Sequence, residues 1–202
     1  MWLFAVITVI AGYLLGNLNG AVCVSKVMGD DVRAHGSGNA GLTNFIRNYG
    51  AGRSFAVILI DSGKAVAACL VGGLLLKQYL GYQAGAALGG AAVMLGHVLP
   101  LFLGFHGGKG ILSGFFIALM LDYRIALLIL AVFAAAYLIT WYVSLGSVLA
   151  AAAFGIGFIV FYFDNSVVMV CGIFMSLLAI FMHRQNILRL LKGEERKTNL
   201  FK

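Results

Sequence analysis

Long apolar stretches run along this chain, separated by short polar segments. They cover residues 2–24, 55–76, 82–103, 111–121, 125–142, 148–163 and 167–182. A helix that crosses a bilayer needs about 20 mostly apolar residues, so most of these predict membrane-spanning helices. The fourth is short and spans only by borrowing residues from the glycine-rich turn before it. The expectation is an all-α integral membrane protein. It is a compact bundle of seven transmembrane helices forming one polytopic domain over residues 1–202, with no internal repeat or linker. The first stretch lacks a basic leader and a small-residue cleavage pattern, so it reads as a retained span rather than a signal peptide.

Composition agrees with this pattern. The chain is 62% hydrophobic with 10% charged residues and a mean hydropathy of +1.00. A soluble domain carries roughly 25% charged residues, and hydrocarbon is the solvent that disfavours them. Gly 27 beside Pro 1 suits helices that approach closely in a membrane. Cys23, Cys69 and Cys171 lie in apolar stretches without CxxC spacing, which predicts neither a disulfide framework nor a metal site.

Charge placement orients the bundle. With the N-terminus outside, inner segments hold Lys26, Arg33, Arg47, Arg53, Lys109, Arg184, Arg189, Lys192, Arg196, Lys197 and Lys202. Outer turns hold only Lys77 and Arg124, and Lys64 lies within the second span. The excess of Lys and Arg marks the cytoplasmic side, so the C-terminus is expected there. The net charge of +7 then faces the cytoplasm and suits anionic headgroups and substrates. Every long polar segment falls on that same face, and chemistry is to be sought there.

Three polar strings stand out. The first runs from Gly36 to Arg47 and includes Ser37, Asn39, Thr43 and Asn44. Its glycines allow unusual torsions, its N–H groups can form an anion-binding concavity, and Arg47 offers a fork for phosphate oxygens. A flexible basic loop is the equally weighted alternative. The second contains His97, Pro100 and His106, then Gly107, Gly108, Lys109 and Gly110 at the start of an apolar segment. Backbone donors at a helix start favour anions. This is not a Walker A loop, because Leu103 occupies the first glycine position and Gly110 follows the lysine. The third begins at His183 and places His183, Asn186 and Leu190 on one helical face, with Arg189 beside it. A basic amphipathic tail explains its later lysines and arginines, but explains the leading His and Asn poorly. Asp61 and Lys64, three apart at membrane depth, are either a functional pair or a mutually neutralising one. Ser144 and Ser147 complete the polar set.

Taken together, the strings resemble the bacterial acyl-phosphate:glycerol-3-phosphate acyltransferase family over essentially the whole chain. They are G-S-G-N-x-G-x-T-N-x-x-R, D-x-x-K, G-H-x-x-P, G-G-K-G, S-L-x-S and H-R-x-N-I-x-R-L. The resemblance implies transfer of a fatty acyl group from acyl phosphate to the 1-hydroxyl of glycerol 3-phosphate. The products are lysophosphatidate and inorganic phosphate, and the location is a bacterial inner membrane. It implies no cofactor. Expected partners are the two substrates, membrane lipids and the enzyme that supplies acyl phosphate; nucleic acid is not among them. The family pattern differs at Leu42 and His106, where it has alanine and lysine, and near Leu112.

Because acyl phosphate is already activated, direct attack by the glycerol hydroxyl is the expected route. His183, Asn186, Ser37 and Lys109 are the expected catalytic residues. Asn39, Thr43, Asn44, Arg47, Lys64, His97, Gly107, Gly108, Gly110, Ser144 and Arg189 are expected to bind substrate, with Asp61 and Glu195 in support. His183 and the departing phosphate both remain open as the proton acceptor. A small anion transporter is the alternative from another class. It predicts polar motifs on both faces or symmetric halves.

Overall fold

The computed structural model describes residues 1–198. Its helices are α1 (Trp2–Gly16), α2 (Gly20–Val27), α3 (Leu42–Tyr49), α4 (Ala51–Leu80), α5 (Tyr82–Val98), α6 (Ile111–Leu121), α7 (Tyr123–Thr140), α8 (Val143–Phe161), α9 (Ser166–Met182) and α10 (Arg184–Leu191). Each apolar stretch of the sequence is mostly helical. Among the described residues, α4, the stretch Tyr82–Leu103, α7 and α8 are each long and apolar enough to cross a membrane. The pairs α1–α2 and α9–α10, bent by 41° and 53°, bring the number of candidate spans to six, and α6 is shorter.

The first stretch is not one continuous helix. It breaks at Asn17–Asn19, and a break inside a membrane leaves backbone groups that water cannot satisfy. Here side chains take them. Asn19 Oδ1 accepts the Val22 N–H at 3.0 Å and its amide donates to Ala40 O at 2.9 Å. The Lys64 ammonium donates to Leu18 O at 2.5 Å. Asn17 accepts the Phe102 N–H at 3.1 Å. The break thus becomes a junction where α1, α2, α4 and the loop after α5 meet.

α5 is the most enclosed of the four long spans. It packs closely on α1 and α4 because glycine brings the backbones together. A Cβ on Gly96 would lie 2.1 Å from Tyr13 O, and one on Gly85 would lie 2.3 Å from Gly72 O. The main core runs through α4 to α9, and a smaller one around Val32, Phe45 and Val57 sits beneath the loop preceding α3.

The polar segments converge. Asn19 joins Ala40, Arg47 joins Thr198, Thr198 joins Trp141, and Lys109 joins Asn186. At the other end of the bundle, Tyr162 ties the turns together, donating to Leu121 O and accepting from Gln83.

Candidate active site

The loop preceding α3 is organised from within. Asn44 is buried; its Oδ1 accepts the Ser37 N–H at 3.0 Å, and its amide nitrogen lies 3.0–3.1 Å from the carbonyls of Val32, His35 and Asn39. A Cβ on Gly36, whose φ is +60°, would collide with Asn44 Oδ1 at 2.4 Å. Asn44 therefore shapes the loop, while Ser37 stays exposed and Asn39 and Thr43 half-buried along it. Arg47, in the last turn of α3, reaches the Thr198 hydroxyl.

The second loop is held by α5. Gly108 N–H donates to His97 O at 3.1 Å, and a Cβ on Gly107 would lie 2.0 Å from that oxygen. Gly110, at φ +82°, turns the chain into α6. Lys109 is thereby aimed at Asn186 Oδ1. Burial, with the Arg189 charge next in weight, pushes the Lys109 ammonium down to about 8; Glu195 opposes this and Arg47 adds to it. Burial is also the main pull downward on Arg47, against Glu195 and with Arg196 and Arg189. Cations thus outnumber the one carboxylate among them, which leaves the pocket short of an anion.

The third group sits at the α9–α10 bend. His183 ends α9 and precedes α10, and it is buried together with Asn186. His183 Nδ1 is 2.8 Å from Ala179 O. A carbonyl only accepts, so Nδ1 carries the proton and a neutral ring keeps its lone pair on Nε2. Asn186 donates to Glu195 Oε1 at 2.8 Å, and Arg189 Nε donates to Glu195 Oε2 at 2.7 Å. The Ser144 hydroxyl, beside that carboxylate, is buried without a full hydrogen bond among the described residues.

Asp61, Lys64 and His97 form a second cluster, next to the first. Lys64 Nζ is 2.7 Å from Asp61 Oδ1 and 2.7 Å from His97 Nδ1, and Asp61 also accepts the Gly20 N–H at 3.1 Å. With Leu18 O as a further partner, the three ammonium donors are engaged. These contacts tie Lys64, an expected substrate-binding residue, to Asp61, His97 and the α1–α2 break. The cluster still touches the pocket through His97, since a Cβ on Gly108 would lie 2.2 Å from His97 Nε2.

An apolar cleft opens directly behind Gly110. Met94, Ile111, Phe115, Phe154 and Met175 line it between α5, α6, α8 and α9, and a Cβ on Gly114 would meet open space. Among the described residues, no three His, Cys, Asp or Glu side chains converge on a metal-sized site.

Asn19, Tyr137, Trp141 and Thr198 also hold the site, and no string in the sequence marks them as a group. The Asn-Leu-Asn-Gly at residues 17–20 is a visible interruption of an apolar run. Thr198 carries no local signal, because its partners are 57 or more positions away.

Fold and site define a polytopic helical membrane protein with a group of cationic side chains at one end and an apolar cleft that begins at Gly110, the residue after Lys109. The chain belongs to the glycerol-3-phosphate acyltransferase family, whose model matches residues 6–193. A glycerol-3-phosphate acyltransferase of Thermoanaerobacter sp. (strain X514) is 37% identical over 196 residues, covering 96% of each chain. One from Finegoldia magna is 36% identical over 201 residues, covering 97% of each. The crystal structure of PlsY, an integral membrane glycerol 3-phosphate acyltransferase, in its glycerol 3-phosphate form superposes with a TM-score of 0.86. It is 33% identical, over 98% of this chain and 99% of that one. The lysophosphatidic acid form of PlsY gives 0.84 at 32% identity, over 97% and 96%.

Proposed function

We propose that this protein acylates the 1-hydroxyl of glycerol 3-phosphate, with a fatty acyl phosphate as donor, at the cytoplasmic face of a bacterial inner membrane. The observation that carries this reading is the junction at Gly110. On one side lie Lys109, Arg47 and Arg189; on the other lies a cleft lined by apolar side chains. Phosphate heads suit the cationic side of that junction and an acyl tail suits the apolar side. Similarity to PlsY in its glycerol 3-phosphate and lysophosphatidic acid forms supports the acceptor and the product.

In the reaction, the glycerol oxygen attacks the acyl carbonyl carbon. The carbonyl–phosphate C–O bond breaks, and inorganic phosphate leaves with the bonding electrons. Lys109, Arg47 and Arg189 stabilise the phosphate groups, and Ser144 adds a hydroxyl donor. Ser37, Asn39, Thr43 and the backbone N–H groups of Gly107 and Gly110 complete the cradle, while Gly108 fixes the loop through its bond to His97 O. His183 Nε2 and Asn186 orient the attacking hydroxyl. The hydroxyl proton passes to the departing phosphate, with His183 holding the hydroxyl in line. Asn44, Asp61, Lys64 and His97 act through the loops they shape, and Glu195 through Asn186 and Arg189. We place the N-terminus outside and read α6 as a seventh, short span. The polar motifs gather at one end of the bundle, which favours this reading over a transporter.

The site assignment is tested with Lys109→Met, which keeps length and removes charge. Lysophosphatidate formation from palmitoyl phosphate is expected to fall at least ~100-fold, comparable to loss of an oxyanion-stabilising donor, with detergent melting unchanged. Retained turnover would move the reaction away from this pocket.

A further inference from the structure

The last described residues return across the site. After α10, Gly193 turns at φ +71°, with the Glu194 N–H donating to Arg189 O at 2.8 Å. The chain then reaches the end of α7. There the Thr198 N–H donates to Trp141 O at 3.0 Å, and the Tyr137 hydroxyl donates to Thr198 O at 3.0 Å. Trp141 itself adopts the left-handed region, φ +63°, which non-glycine residues seldom enter without local compensation. Thr198 is thus clamped through both of its backbone groups and is 7% exposed. Its hydroxyl accepts a hydrogen bond from Arg47 Nη2.

We propose that Thr198, held by Tyr137 and Trp141, is a positioning residue that pre-orients Arg47 for the phosphate of glycerol 3-phosphate; this rests on the reading that Arg47 contacts that phosphate. An arginine has five donors in a planar fork and a flexible stem. One donor given to a fixed hydroxyl anchors the plane, and the remaining N–H groups stay free for phosphate oxygens. Anchoring in the free protein removes part of the ordering cost of binding. The strap from Gly193 to Thr198 also carries Glu195, so the same segment braces Arg189 and Asn186. One strap therefore sets the geometry on two sides of the pocket.

The test is steady-state kinetics in glycerol 3-phosphate with saturating palmitoyl phosphate, on the full chain. Thr198→Val is expected to raise KM about five- to tenfold with kcat within about twofold, and Thr198→Ser to restore most of the affinity. Tyr137→Phe is expected to move KM in the same direction by less. Arg47→Ala raises KM strongly, and the Arg47→Ala, Thr198→Val double variant matches Arg47→Ala alone, because the Thr198 hydroxyl acts only through Arg47 while Thr198→Val keeps the backbone bonds of the strap. A wild-type KM in Thr198→Val, or additive effects in the double variant, overturns the proposal while leaving Arg47 as a phosphate ligand. An unchanged KM in Arg47→Ala overturns the phosphate-binding reading, and the proposal with it. Should Thr198→Val not fold, Tyr137→Phe carries the same decision: a wild-type KM there overturns the proposal.

Discussion

Lys109 is the residue on which the pocket's electrostatics turn. Its ammonium is held down to about 8 mainly by burial, with Arg189 and Arg47 repelling it and Glu195 attracting it. A lysine lowered in this way is charged below that value and neutral above it, so attraction for a phosphate weakens as pH rises past about 8. KM for glycerol 3-phosphate is expected to be flat below about pH 7 and to climb as the pH passes through about 8, whereas Lys109→Arg should shift the climb upward. KM measured across this range in both proteins checks the assignment. His183 makes a different prediction. If the departing phosphate takes the proton, His183→Gln keeps a hydrogen-bonding group beside the hydroxyl and retains a sizeable fraction of kcat. Loss of essentially all turnover would make His183 the base. At this scale the sequence displayed Lys109, Arg47, His183 and Asn186 through their glycine-rich and polar strings. It did not display that Asn44 faces inward to build its own loop, or that Lys64 spends its donors on Asp61, His97 and a broken helix. Those roles depend on neighbours far away in the chain.

Helices were legible wherever an apolar run met polar punctuation, since hydrocarbon leaves the backbone few alternatives. The break after α1 was less so: apolar residues resume at Ala21, and two asparagines in a long run weigh little in a hydropathy average. Contact between elements rests on glycine. Gly96→Leu must drive α5 from α1, because its Cβ alone would lie 2.1 Å from Tyr13 O. We expect a loss of roughly 1–3 kcal/mol, the range for overpacking, read as a lower melting temperature in detergent. Gly114→Leu tests the cleft instead. Open space surrounds that position, so stability should hold while the preferred donor shifts to shorter acyl chains. An unchanged chain-length profile would place the acyl tail elsewhere.

For the whole molecule, the uneven distribution of polar sequence carried the most information. Segments far apart in the chain share one end of the bundle, and the structure joins them by hydrogen bonds from Arg47, Lys109 and Asn19. Their meeting point lies against a cleft built from α5, α6, α8 and α9. On the proposed reading, the cationic groups take the phosphate heads and the apolar cleft takes the acyl tail. The decisive experiment offers purified protein radiolabelled glycerol 3-phosphate with palmitoyl phosphate, palmitoyl-CoA or palmitoyl carrier protein, separately and with chelator present. The expected result is labelled lysophosphatidate from palmitoyl phosphate alone. Product from the thioesters and none from the acyl phosphate would contradict both the donor and the direct-displacement mechanism.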